Sequence, residues 1–134
     1  MKKTQEKKYY YDWKQFNADC IKIAQWAKLK KLKNIYGIPR GGLVVAVKMS
    51  HILDIPIIFS VEEISLGTLV VDDIIDTGGT IERIFGKSRK KMFIASLYFR
   101  KEAGVKPDFY ARIKRDWVVF PWETDRTSRY DKTI

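Results

Sequence analysis

Residues 69–80 have the sequence LVVDDIIDTGGT, and the fold prediction rests on this segment. Its β-branched start predicts a strand over Thr68–Val71, and the residues after the glycines predict a helix over Thr80–Lys87. Three carboxylates and a Thr-Gly-Gly-Thr turn lie between the two elements. We therefore expect a strand–turn–helix unit with acidic side chains at its centre.

The rest of the chain continues this alternation of strands and helices. A capping box at Asp12–Gln15 predicts the start of a helix, and a further helix is expected over Leu43–Leu53. Other strands are predicted at Asn34–Ile38, Pro56–Val61, Met92–Phe99, Tyr110–Ile113 and Val118–Phe120. The predicted fold is α/β, with a mainly parallel twisted sheet and helices on both faces. In such a sheet, ligands bind beyond the carboxyl ends of the strands.

Length and composition limit the classes of protein that fit. The 134 residues suit one domain, predicted to span 1–134 with residues 1–8 and 124–134 loosely ordered. The single cysteine, Cys20, excludes an internal disulfide and every zinc site built from several cysteines. The single histidine, His51, argues against Ser-His-Asp, Cys-His and multi-histidine metal chemistry. Because no apolar run resembles a membrane helix or a signal core, we expect a cytoplasmic protein.

The net charge of +10 is distributed unevenly along the chain. Residues 34–85 are net acidic, whereas residues 1–33 and 86–116 are net basic. An acidic centre between basic flanks suits a metal-bound polyphosphate, because the carboxylates hold hydroxyls and the cation while lysines and arginines attract the anion. The lysine runs are also explained as solvated helix ends and loops, and binding of nucleic acid is a third interpretation.

The Thr-Gly-Gly-Thr turn has the chemistry of a phosphate cradle. Gly78 and Gly79 let the backbone curl so that several N–H groups point at one spot, and the following helix adds its positive end. The hydroxyls of Thr77 and Thr80 are additional donors.

Two carboxylates lie just before this turn. Asp72 and Asp73, at the carboxyl end of the strand, are placed to bind vicinal hydroxyls or a hydrated Mg²⁺. A phosphate on one side and a diol on the other describe a ribose 5-phosphate. The alternatives are an acidic loop before a helix cap, and the DDxxD metal motif of all-α isoprenoid synthases. The strand before the aspartates and the glycines after them argue against the second alternative.

With these features, the chain resembles the type I phosphoribosyltransferases, which move ribose 5-phosphate from phosphoribosyl pyrophosphate (PRPP) onto a base. Residues 72–80 look like the PRPP-binding motif of that family. The segment Gly37–Leu43, which includes Pro39, resembles the loop that holds pyrophosphate. By that resemblance the Arg40 guanidinium binds the anion, and Gly41 permits a backbone conformation that turns N–H groups inward.

Two later segments resemble the xanthine-guanine and hypoxanthine branch of the family, which uses 6-oxopurines. By that resemblance Lys101 donates a hydrogen bond to the purine O6, Trp117 stacks on the ring and the backbone of Val118 meets the edge of the base. The plainer interpretation makes Lys101 a surface residue and Trp117 a core residue; Trp122 is the better core candidate of the two late tryptophans.

The resemblance also implies a mechanism. Asp72 and Asp73 hold the ribose diol and Mg²⁺, which bridges the pyrophosphate and the ribose hydroxyls, while Thr77, Gly78, Gly79 and Thr80 hold the 5-phosphate. Asp76 is the candidate catalytic residue, either as acceptor of the proton at purine N7 or as stabiliser of the cationic sugar and the loop. The partners are PRPP and a purine base, and a homo-oligomer, dimer or tetramer, is expected.

One feature departs from the family pattern. Only Glu62–Gly67 separates two strands where type I enzymes carry a long flexible lid that keeps water out. Either a reduced lid suffices, or another subunit or segment covers the site; the tail 124–134 is either loose or folds over the site or a partner. The alternative function is a PRPP- or nucleotide-sensing regulator of the same fold, with basic flanks that contact nucleic acid.

Overall fold

The computed structural model describes residues 7–86 and 92–129. These residues form seven strands and three α-helices. The strands are β1 (Lys8–Tyr10), β2 (Asn34–Gly37), β3 (Ile57–Ile58), β4 (Thr68–Ile75), β5 (Phe93–Phe99), β6 (Phe109–Ile113) and β7 (Trp117–Val119). The helices are α1 (Trp13–Ala27), α2 (Gly41–Leu53) and α3 (Gly79–Phe85).

The main sheet has the strand order β3-β2-β4-β5-β6, and all its described pairings are parallel. From β2 the chain moves to one side, to β3, and from β4 it moves to the other side, to β5 and β6. The carboxyl ends of β2 and β4 therefore flank the point where the strand order reverses, and a crevice opens at such a point.

Helices cover both faces of this sheet, as predicted. On one face, residues of α1 and α2 such as Ile23 and Met49 form a core with Leu69 and Val71 of β4. On the other face, Ile81 and Phe85 of α3 belong to a second core. The apolar residues of β4 are buried on both faces of the sheet, which fixes the register of the strand and therefore the position of Asp72 and Asp73 within it.

A second, two-stranded sheet lies next to the first. β1 pairs in parallel with β7, with Lys8 opposite Trp117 and Tyr10 opposite Val119. The sequence did not predict this N-terminal strand, because a strand of three exposed residues depends on its partner for hydrogen bonds.

A buried polar cluster ties the helix α1 to β6 and to the segment after β1. The Asp19 carboxylate is fully buried, and its Oδ2 accepts hydrogen bonds from the Tyr11 hydroxyl and from Arg112 Nε, both at 2.6 Å. Burial and this hydrogen bond raise the pKa of Tyr11, so the phenol stays protonated and donates. The Tyr11 ring also packs edge-on against Phe120, which lines the cavity described below.

The helix and strand predictions hold with some changes of boundary. The predicted strand Pro56–Val61 is wrong in length: only Ile57–Ile58 pair with β2, and Val61–Glu63 form a 3-10 helix capped by Ser60. Strand β4 runs to Ile75, four residues further than predicted, because β5 pairs with it along that length. α2 begins at Gly41, two residues early. α3 ends at Phe85, and the predicted end, Lys87, lies outside the described residues.

The connection from β3 to β4 is short, as the sequence indicates. It consists of the 3-10 helix, a turn at 66–67 and the linking residues 59–60 and 64–65. Within the described chain none of these residues lines the cavity discussed below. No helix among the described residues has the length and apolar character needed to span a membrane.

Candidate active site

A cavity of about 370 Å³ opens at the carboxyl ends of β2 and β4 and is also lined by residues of β7. Its volume is in the range of small-molecule sites. Most of the predicted site residues line it: Pro39, Asp72, Asp73, Asp76, Thr77, Gly78, Gly79, Thr80, Trp117 and Val118. The structure thus brings the acidic motif and the late tryptophan segment together in one cavity.

The two neighbouring aspartates are held in place by the backbone. Asp72 Oδ1 accepts the Asp73 N–H at 2.9 Å, and Asp73 Oδ1 accepts the Ile74 N–H at 2.8 Å. Asp73 is only 1% exposed. Buried carboxylates with backbone hydrogen bonds have fixed orientations, so both aspartates are held in a defined geometry.

The start of α2 packs directly on Asp73. A Cβ added at Gly41 would lie 1.8 Å from Asp73 Oδ2, so only a glycine allows the carboxylate to occupy this position. Gly41 therefore contributes space for Asp73, whereas the sequence assigned it to the backbone of a pyrophosphate loop. The peptide bond between Pro39 and Arg40, just before it, is cis.

The Thr-Gly-Gly-Thr turn is shaped by its own side chains and by the segment between β5 and β6. Thr77 Oγ1 accepts the Gly79 N–H at 3.1 Å, and the Thr77 carbonyl accepts the Gly104 N–H at 2.9 Å. Gly78 has a φ of +84°, and a Cβ there would lie 2.8 Å from the Val105 nitrogen. Both the backbone conformation and the close approach require glycine at position 78.

Asp76 lies between two cations. Its Oδ2 accepts a hydrogen bond from Lys114 Nζ at 3.2 Å, and its Oδ1 lies 3.6 Å from an Arg100 guanidinium nitrogen. The side chains of Asp76 and Lys114 are both about five-sixths buried, at 16% and 15% exposure. In this part of the cavity the Asp76 carboxylate and the Lys114 ammonium are therefore in contact, and a polar group of a ligand can replace either of them as the partner of the other.

Trp117 of β7 forms an aromatic wall of the cavity. Lys114 Nζ lies 5.2 Å from the centre of its ring, and its indole N–H donates to Ser128 Oγ at 3.2 Å. Trp122 belongs to the core instead, as predicted: it stacks on Phe120 at 4.9 Å between ring centres.

The backbone of Val118 faces away from β1. In the parallel β1–β7 ladder, Trp117 N–H bonds to the Lys7 carbonyl and the Val119 carbonyl accepts from Tyr11 N–H. Alternate residues of a strand direct their peptide groups to opposite sides, so those of Val118 point to the other side of β7. Because Val118 also lines the cavity, its peptide groups are placed to meet a polar ligand edge.

Three predicted residues do not line the cavity. Arg40 is exposed before α2, Gly41 lies behind Asp73, and Lys101 is exposed in the turn after β5. The cavity contains Lys114 instead of Lys101, and it contains Ser128 of the C-terminal segment. Sequence reasoning missed both residues, because a lysine after β6 and a serine in the tail carry no motif.

Comparisons with known proteins agree with this geometry, although no family model matches the chain. A xanthine-guanine phosphoribosyltransferase of Nitratidesulfovibrio vulgaris is 30% identical over 138 aligned positions, covering 84% of this chain and 83% of that protein. The chain belongs to the purine phosphoribosyltransferase family. The enzyme is therefore a pentosyltransferase by family, and these relatives give no support to the alternative of a regulatory protein.

Solved structures agree with the assignment. The enzyme is similar to a purine phosphoribosyltransferase from Pyrococcus horikoshii, with a TM-score of 0.77, 33% identity and coverage of 87% of this chain and 94% of that one. A xanthine-guanine-hypoxanthine phosphoribosyltransferase from Helicobacter pylori shares the fold, with a TM-score of 0.75 at 20% identity and coverage of 92% and 99%.

Proposed function

We propose that this enzyme transfers ribose 5-phosphate from PRPP to a 6-oxopurine (hypoxanthine, guanine or xanthine) and releases pyrophosphate, in purine salvage. The observation that carries the proposal is that Asp72–Thr80 and Trp117 line one cavity. A cavity lined by a glycine-rich turn and by an aromatic ring fits a ribose phosphate joined to a flat base.

The ribose phosphate binds at the carboxyl end of β4. The Thr77 and Thr80 hydroxyls and the N–H groups of the glycine turn donate to the 5-phosphate, since this turn lines the cavity. Asp72 and Asp73 accept hydrogen bonds from the ribose hydroxyls. Their backbone hydrogen bonds keep them oriented, which places the anomeric carbon for attack.

Magnesium fits this donor set. Asp72 and Asp73 give two carboxylates at the cavity, and the described residues contain no cluster of three or more His, Cys, Asp or Glu side chains that could hold a metal by themselves. Mg²⁺ prefers one or two carboxylates with waters and substrate phosphates over a cage made of protein alone. When bound, Mg²⁺ neutralises charge on the departing pyrophosphate.

The pyrophosphate leaves toward the segment between β2 and α2. Pro39 lines the cavity and Arg40 follows it at the surface, so we propose that the Arg40 guanidinium binds the released anion. Gly41, the next residue, packs closely against Asp73 and so keeps this segment beside the aspartate pair.

The base stacks on Trp117, and its edge meets the peptide groups of Val118. Asp76 then lies on the reacting side of the base, where it either accepts the N7 proton as N9 attacks the sugar or stabilises the cationic sugar. Lys101 is the donor to O6 proposed from the sequence, and Lys114 is a second candidate because it lies inside the cavity. Both ammonium groups are donors only, and therefore they favour an oxo group over the amino group of adenine.

The test is product formation from PRPP and Mg²⁺ with hypoxanthine, guanine, xanthine and adenine in parallel, measured by nucleotide chromatography. Nucleotide from at least one oxopurine and none from adenine supports the proposal. Absence of product from every base, with PRPP binding retained in calorimetry, contradicts it. A dimer or tetramer in sedimentation is also proposed, and a cytoplasmic location stays a prediction of the sequence.

A further inference from the structure

The C-terminal segment 124–128 contacts the aromatic wall of the cavity. The Trp117 indole N–H donates to Ser128 Oγ at 3.2 Å, and Ser128 Oγ is 3.1 Å from the carbonyl oxygen of Asp125. A hydroxyl has one proton and an indole N–H is a donor only. The direction of both hydrogen bonds is therefore fixed: Trp117 donates to Ser128, and Ser128 donates to the Asp125 carbonyl.

The turn that carries Ser128 is internally closed. The Thr127 N–H donates to Thr124 Oγ1 at 3.0 Å, and the Thr124 N–H donates to Thr127 Oγ1 at 2.8 Å. The Ser128 N–H donates to the Thr124 carbonyl at 3.0 Å. With its side chains paired in this way, the turn holds Ser128 in one position, and Ser128 is 8% exposed.

The same turn is attached to the N-terminal strand. Asp125 Oδ1 accepts a hydrogen bond from the Tyr10 hydroxyl at 3.0 Å and lies 3.5 Å from Lys8 Nζ. Since β1 pairs with β7, the strand that contains Trp117 is linked to the turn by two routes: directly through the indole and indirectly through β1.

We propose that the turn 124–128 is part of the base site, and that Ser128 is a positioning residue that fixes the ring plane of Trp117 for stacking on the purine. This inference rests on the proposed function for the identity of the base. The indole has two rotatable side-chain torsions, and the Ser128 hydrogen bond restrains them before the ligand arrives. Ordering the ring in advance lowers the free-energy cost of binding the base, so Ser128 increases the affinity for the base and leaves the affinity for PRPP unchanged.

The test uses Ser128→Ala, Ser128→Thr and a control, Ser50→Ala. The control also removes a hydroxyl hydrogen bond, between Ser50 and the Ile55 carbonyl at the end of α2, away from the cavity. Indole N–H resonances are recorded on protein labelled with ¹⁵N-tryptophan, with Trp117→Phe used for assignment. Steady-state kinetics then give KM for the base, KM for PRPP and kcat.

In Ser128→Ala the Trp117 resonance shifts and its N–H exchanges faster with solvent, while the other tryptophan resonances stay in place. KM for the base rises about fivefold, the factor expected for one lost hydrogen bond, with KM for PRPP within about twofold. Ser128→Thr restores both values, and Ser50→Ala changes neither.

Two results would overturn the inference: a Trp117 resonance that does not respond to Ser128→Ala, or a resonance that shifts without any change in KM for the base. Failure of the proposed function is distinguishable, because it gives no turnover in the wild-type protein. In that case GMP, IMP and XMP are titrated against the Trp117 resonance. Nucleotide that binds without perturbing this resonance, or no binding, refutes the placement of the turn in a base site.

Discussion

Gly41→Ala tests the close contact between α2 and the aspartate pair. A methyl group at this position would lie 1.8 Å from Asp73 Oδ2 and 2.4 Å from Asp73 Cγ. Asp73 is 1% exposed and its other oxygen accepts the Ile74 N–H, so the carboxylate cannot swing into solvent. The substitution therefore acts on the ribose end of the site through one side chain.

The displacement sets the size of the effect. Real Cβ contacts are not shorter than 3.0 Å, so the Asp73 oxygen must retreat by about 1.2 Å from its position at 1.8 Å. A misplacement of about 1 Å in a positioning group costs on the order of a hundredfold in rate. We expect kcat/KM for PRPP to fall about a hundredfold, with a loss of stability of about 1–3 kcal/mol from overpacking.

The assay is initial-rate kinetics with PRPP varied, alongside urea unfolding of the same preparation. Gly67→Ala is the matched control: its added Cβ would lie 2.8 Å from Lys33 Cγ, but Lys33 is exposed and can move into solvent. The control is expected to retain the PRPP kinetics. Wild-type kcat/KM for PRPP in a folded Gly41→Ala protein would refute the role given to Asp73.

Four further substitutions test the rest of the site and the core. Asp76→Asn should leave PRPP affinity within a few-fold and reduce kcat severely, because it removes the proposed acceptor of the N7 proton or stabiliser of the cationic sugar. Unchanged kcat in a rapid-quench assay would refute that role for Asp76. Lys114→Ala and Lys101→Ala, compared by KM for hypoxanthine, separate the two candidate donors to O6. Substitution of the true donor should raise KM for the base by far more than KM for PRPP. An equal rise of both constants in a variant would argue against that lysine. Asp19→Asn removes the charge that Tyr11 and Arg112 share. It should lower the free energy of unfolding, measured in urea, by about 3 kcal/mol, as for a broken buried ion pair. A loss below about 1 kcal/mol would mean that the cluster contributes little to stability.

Several features of the fold followed from short-range sequence signals. The capping box at Asp12 and Gln15 forms as predicted, because both hydrogen bonds lie within one turn of chain. The strand–turn–helix order around residues 69–80 also forms, since β-branched residues, glycines and helical spacing act locally. The length of the edge strand β3 was not predicted correctly. The apolar residues at 56–61 suit a strand, but only two residues of this segment pair with β2.

The site divides in the same way. The residues from Asp72 to Thr80 that line the cavity are contiguous, so one motif was enough to place Asp72, Asp73, Asp76 and the glycine turn in one cavity. The rest of the cavity is assembled from separate segments. Lys101 and Lys114 are both lysines near the end of a strand, and the folded chain decides which one enters the cavity.

Local residue patterns were sufficient to predict the family, the β–α alternation and the Thr-Gly-Gly-Thr turn, because each depends on residues close together in the chain. The packing of separate segments is what makes Lys114 contact Asp76, Gly41 leave room for Asp73 and the Trp117 indole donate to Ser128. These contacts join residues 11 to 38 positions apart, or lie between a helix and a strand that pack on each other. Their geometry is set by strand register and by the burial of two cores, which no local pattern encodes.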